Sequence, residues 1–199
     1  MIYHSQLLSG LVFLIYGLSF FVMGLAILLE KGRSNDQRLQ LALRPLAAFG
    51  ILHGLHEWLL MLDVFHVSPI STQAQVLWDG LRLMLLAISF LSLAGFGFSL
   101  LAPSLASRRI SLLAPLILVT LWAFVLLQLR GRYTLDTGLV QVAEVWTRYG
   151  LAIPAALAAA AGLVVQQRTF RHSGMAEFGR DSLVASILFI WYGVGGQIF

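Results

Sequence analysis

Six long apolar runs, separated by short polar connections, constrain this chain more than anything else in it. They cover roughly Leu7–Leu29, Pro45–Phe65, Leu77–Ala102, Ile110–Leu129, Glu144–Val165 and Ser182–Phe199. Each is near the length at which a helix rising ~1.5 Å per residue crosses about 30 Å of hydrocarbon. The runs are continuously apolar rather than alternating, which favours helices over a barrel. Of the 199 residues, 59% are hydrophobic and 11% charged. That charged share is less than half of what a soluble domain carries, so a soluble globule, a disordered chain and a disulfide scaffold are excluded. The expected fold is all-α: one polytopic membrane helix bundle over residues 1–199, with six spans.

Basic residues sort the connections. The first loop holds Lys31, Arg33, Arg38 and Arg44, the third Arg108 and Arg109, and the fifth Arg168, Arg171 and Arg180. The amino terminus and the loop 66–76 hold none; Arg130 and Arg132 in the fourth loop are the exceptions. The positive-inside rule then places the amino terminus outside and the odd-numbered loops in the cytoplasm. The net charge of +4 follows from this topology and from lipid headgroups, and nucleic acid is not an expected partner. The partners implied are the bilayer and a second copy of the chain as a homodimer. In the first loop, Ser34-Asn35-Asp36-Gln37 reads as a helix start. Arg38 to Arg44 reads as a short interfacial helix, with Pro45 opening the second span as its first residue. The run WYGVGGQIF ends apolar, without a charged anchor, and is read as a truncation of a parent with seven or more spans.

Small residues mark close helix contacts. Gly10, Gly17 and Gly24 recur along one stripe of span one, Gly50 and Gly54 form a small-xxx-small pair in span two, and span five carries Ala155, Ala156 and Ala158 to Ala161. These are packing signals. No inverted repeat of the kind that argues for a transporter is visible.

Ionisable groups inside a membrane cost roughly 2.5–3.5 kcal/mol each on insertion scales, so they point to function. The densest cluster is His53, His56 and Glu57 in FGILHGLHEWLLMLD, spaced i, i+3, i+4 and therefore on one helix face. Counted from Pro45, the latter two lie roughly 16–18 Å deep. Trp58 points away from this face. Two further pairs open spans three and five: Asp79 with Arg82, and Glu144 with Arg148. Together these residues predict one polar pocket walled by spans two, three and five, with Glu57 paired to Arg82 or Arg148.

Three readings of the cluster stand side by side. Two imidazoles and a carboxylate suit a transition metal (copper, zinc or iron) or haem, with His53, His56, Glu57 and, at the outer end of span one, His4 as the candidate ligands. Against this, one helix cannot fill a coordination sphere, and the spacing is not the HExxH pattern. Alternatively, the face senses a ligand or a proton. In the third reading the groups are structural, bonded to neighbouring helices. The chain has no cysteine, which excludes thiolate sites. It also lacks a phosphate loop, a serine elbow and a lysine within a span, since Lys31 is the only lysine. Tyr3, Trp78, Trp146 and Tyr149 read as an interfacial aromatic belt; Trp122, Trp191 and Tyr192 read as packing.

Two stretches, LAAFGILHGLHEWLLMLDVF and FGRDSLVASILFIWYGVGGQIF, resemble segments in the amino-terminal membrane regions of bacterial sensor proteins. HGLHEW is the most distinctive element, and the likeness covers about a fifth of the chain, chiefly spans two and six. The resemblance implies a sensory input domain in the bacterial inner membrane. In that family a multi-span region precedes cytoplasmic PAS, histidine kinase or diguanylate cyclase modules in the same polypeptide. It supplies a role without a ligand, and any catalysis would lie outside this segment. The expected function is therefore detection of an extracytoplasmic or membrane-dissolved cue; the alternatives are a haem- or metal-bearing redox subunit and a small transporter or intramembrane enzyme.

Overall fold

The computed structural model describes residues 2–30, 37–67, 71–102, 104, 107, 111, 113–132, 137–172 and 176–196, and all regular structure among them is helical. The helices are α1 (Ile2–Glu30), α2 (Gln37–Val64), α3 (Thr72–Leu101), α4 (Leu113–Arg130), α5 (Thr137–Thr147), α6 (Ile153–His172) and α7 (Ala176–Ile190). A π-helical turn, Arg148–Ala152, joins α5 to α6 without a break, and a second, Trp191–Gly195, prolongs α7. Five described segments are long and apolar enough to cross a membrane, namely Gln6–Glu30, Gln40–Val64, Gln73–Leu101, Leu113–Arg130 and Gly138–His172. The sixth expected run is shorter as α-helix and reaches its length only with the π turn.

Two expectations for the first loop change. Pro45 does not open α2; it lies inside a helix that already begins at Gln37. The stretch QRLQLALR is rich in good helix formers, so the expected interfacial helix runs straight into the span. The ladder bond that proline removes is tolerable where neighbouring helices pack closely, and Pro45 sits against the Gly95 position of α3. Ser34, Asn35 and Asp36 lie outside the described residues. The third helix starts earlier than its apolar run, because the Ser71 hydroxyl caps it by accepting from the Ala74 N–H at 3.3 Å.

α1 packs on α2, α2 on α3, α3 on α6, and α6 on α7; α4 and α5 lie against α3 and each other. Glycine sets the closest approach. A methyl group on Gly54 would come within 2.6 Å of the Gly17 carbonyl oxygen, and one on Gly50 within 2.7 Å of the Phe20 carbonyl oxygen. Both glycine motifs thus meet in one α1–α2 seam. On the other side, Ala155, Ala156 and Ala159 are fully buried in α6, and a methyl on Gly162 would stand 2.8 Å from the Gly97 carbonyl oxygen of α3. Phe49, Phe90, Leu93, Phe96 and Leu151 fill the centre. The outward faces are equally apolar, with Leu29 80% and Trp191 76% exposed, a surface suited to lipid rather than water.

Candidate functional site

The α2 face carrying His53, His56 and Glu57 turns into the bundle, where these side chains are 3%, 2% and 7% exposed. The partners of His53 define its proton. The Ser89 hydroxyl donates its one hydrogen to the Leu86 carbonyl at 2.7 Å, so at 3.3 Å from His53 Nδ1 it can only accept. The neutral His53 ring therefore carries its hydrogen on Nδ1 and presents a lone pair at Nε2. Tyr192 donates to that lone pair at 2.9 Å. Glu57 Oε1 stands 3.5 Å from the same nitrogen. His56 Nδ1 lies 3.2 Å from the Arg82 carbonyl oxygen, an acceptor only, so it too holds the hydrogen on Nδ1 and leaves Nε2 as an acceptor.

Beside these groups lies a cavity of about 260 Å³, lined by His53, His56, Glu57, Arg148 and Tyr192, with Tyr16 and its neighbours on α1 closing one side. Both π turns supply a side chain to it. Pro154 accounts for the first: proline clashes with the carbonyl four residues back, and an inserted residue relieves the helix just before it. The inserted turn starts at Arg148. Glycines 193, 195 and 196 loosen the ladder at the second, and Gly193 is buried against Ala156. Local sequence thus aims Arg148 and Tyr192 at one space from two different helices.

His56 separates this cavity from an ion cluster packed too tightly to hold water, formed by Asp79, Arg82 and Glu144. The two pairs read from the sequence form: Arg82 Nη1 to Asp79 Oδ1 at 3.2 Å, and Arg148 Nη2 to Glu144 Oε1 at 2.9 Å. Arg82 also binds Asp63 of α2 and reaches Glu144 at 3.8 Å, while Trp78 donates to Asp63 at 2.7 Å. Trp78 is therefore a member of this network. The expected partner of Glu57 is not found: among the described residues no ion pair joins it to either arginine, because Arg82 is drawn to Asp63 and Arg148 to Glu144. Trp58, as expected, leaves this face, and its indole donates to the Leu14 carbonyl of α1 at 3.3 Å.

The expected three-walled pocket thus has a different plan. Spans two, three and five all contribute, span three through Leu86 and Phe90, but α1 and the last π turn complete the wall, and Asp79, Arg82 and Glu144 sit behind His56. Sequence reasoning missed Tyr16, Ser89 and Asp63, and took Tyr192 as packing. Asp63 had a signal, since it follows His56 by seven residues and shares its face. Ser89 and Tyr16 had none.

As for a metal, His53 has Ser89 and Tyr192 on its two nitrogens, and His56 has one nitrogen on a carbonyl. Only His56 Nε2 and Glu57 remain as donors, short of a coordination sphere. Among the described residues no group of three histidine, aspartate or glutamate side chains is placed to hold a metal ion. The side chain of His4 lies outside the described residues. His66 is exposed and bonded to Gln6 at 3.2 Å, and His172 is exposed at the end of α6. No family model, curated protein or solved structure matches the chain.

Proposed function

We propose that the chain is a sensory input domain of the bacterial inner membrane, with six spans and its amino terminus outside. It reads an extracytoplasmic or membrane-dissolved cue at the His53–His56–Glu57 face. The single observation that supports this most is the hydrogen bond between His53 on α2 and Tyr192 at the far end of the last helix. It ties the candidate site to the helix whose opposite end, in this topology, lies on the cytoplasmic side, where a signal would pass to a cytoplasmic kinase or cyclase module.

The mechanism turns on one lone pair with two claimants. His53 Nε2 accepts from Tyr192, while Glu57 stands 3.5 Å away. A cue that protonates or displaces Glu57 changes which group bonds to that nitrogen. If Nε2 gains a hydrogen, Tyr192 must turn from donor to acceptor or leave. Either event favours a second packing of the last helix over the first, and a ligand with unequal affinity for the two shifts the balance. The loosened π turn around Tyr192 is where such a change is least costly.

The absence of cysteine makes the test direct. Spin labels placed by substitution at Leu55 on α2 and Leu188 on α7, both exposed, report the distance between these helices in lipid nanodiscs. His53→Ala and Glu57→Gln should move that distance distribution. Distributions that coincide with wild type in both variants would refute the coupling.

A further inference from the structure

We propose that the cavity beside Glu57 is a binding site for a small organic monocation, a primary ammonium carrying a hydrophobic ring or chain. The inference uses the same pocket as the sensory reading and rests on that reading only for its biological purpose; binding itself is measured without any output.

Hydrogen-bond supply and demand in the cavity point to this ligand. Glu57 is 7% exposed, lines the cavity, and accepts no hydrogen bond among the described residues. His56 turns Nε2 to accept because its Nδ1–H is held by the Arg82 carbonyl. Tyr192 has spent its hydrogen on His53 and keeps an acceptor oxygen. These are three acceptors; the donors lining the same cavity, the Tyr16 hydroxyl and the remaining N–H groups of Arg148, bond to none of them among the described residues, and a primary ammonium brings three N–H donors and no acceptor. Arg148 also lines the cavity, but its Nη2 is already on Glu144 at 2.9 Å.

Charge points the same way. The formal charges around the cavity and behind His56 are two guanidiniums, Arg82 and Arg148, against four carboxylates, Asp63, Asp79, Glu144 and Glu57. An excess of negative charge in a low-dielectric interior is costly, and a bound monocation lowers it. The rest of the wall suits the organic part. Phe13, Tyr16 and Phe90 line it, and aromatic side chains attract a desolvated cation and an apolar tail alike. A cavity of roughly 150 Å³ holds a benzene, so about 260 Å³ admits a ring with a short amine arm.

The test uses three probes of one size and different charge on the purified whole chain in mild detergent: phenethylammonium, 2-phenylethanol and 3-phenylpropionate. Isothermal calorimetry gives affinities, and the thermal midpoint gives an independent reading, since a ligand of the native state raises it. Phenethylammonium should bind at least tenfold more tightly than 2-phenylethanol, and 3-phenylpropionate more weakly than either. Glu57→Gln should remove the preference for the cation. Should that variant fail to fold, the wild-type charge series still decides. Tighter binding of 3-phenylpropionate, which would mark Arg148 as the recognition group, overturns the proposal. So does no binding of phenethylammonium up to about 10 mM, weaker than any useful affinity. Failure of the two readings is separable: if phenethylammonium binds without moving the Leu55–Leu188 distance, the site stands and the sensory coupling falls. If the variants move the distance but the amine does not bind, the reverse holds.

Discussion

Tyr192 and His53 stand 139 positions apart in the chain and share one 2.9 Å hydrogen bond. Around it, Phe49 stacks on the imidazole at 5.3 Å and Phe20 meets its edge at 4.6 Å. Apolar rings on most sides leave the hydrogen bond little competition from water, which raises the cost of losing it.

Tyr192→Phe removes the donor and leaves His53 Nε2 unsatisfied, so it should cost about 1–3 kcal/mol of stability. His53→Ala alone should cost a similar amount. The double variant should cost less than the sum by about 0.5 kcal/mol or more, as expected for residues in contact. Denaturant titration of the four proteins measures this, and strict additivity would show that the two side chains do not interact.

The two arginines should differ sharply. Arg82 is 14% exposed and serves Asp63, Asp79 and Glu144. Arg82→Ala leaves the buried Asp79 and the half-buried Asp63 without an ion pair and should cost about 3–5 kcal/mol. The Arg148 side chain is 35% exposed and among the described residues pairs with Glu144 alone, so Arg148→Ala should cost under about 1 kcal/mol in the same assay. Equal losses would contradict the network described above.

Glycine substitutions separate contact from propensity. Gly54→Ala drives a methyl into the Gly17 carbonyl and should pry α1 from α2, seen as a lower midpoint and faster proteolysis of the first connection. Gly80→Ala meets nothing within 4 Å on α3 and should stabilise by about 0.5–1 kcal/mol through helix propensity. If both changes shift stability the same way, the seam between α1 and α2 is not as close as stated.

Orientation is open to single-cysteine labelling on this cysteine-free background. In spheroplasts, His66→Cys should react with an impermeant maleimide, and Arg171→Cys should react only after the membrane is permeabilised. The opposite pattern would reverse the topology assigned from the basic residues.

The all-helical fold and the buried α2 face were legible in the sequence because hydropathy runs and i, i+3, i+4 spacing are local properties. So were the Asp79–Arg82 and Glu144–Arg148 pairs, each within one turn of helix. The partners of those groups were not legible. Which carboxylate Arg82 prefers depends on how α2 sits against α3, and a pattern along one helix does not contain that. Tyr192 was missed for the same reason, since a tyrosine among apolar residues reads as packing until a histidine from another helix is beside it. Pro45 misled because proline favours the first turn of a helix, and only the packed neighbour at Gly95 shows why an interior position is tolerated. The π turn before Pro154 could have been suspected, but not the side chain it would aim.

Helix α1 walls the cavity with Val12, Phe13 and Tyr16, yet it rests chiefly on α2. The other walls are locked into several neighbours. That side of the pocket is therefore one helix thick, and the outer surface of this helix is apolar along much of its length. In a bilayer, the thinnest wall of the chamber would face the acyl chains rather than the headgroup layer.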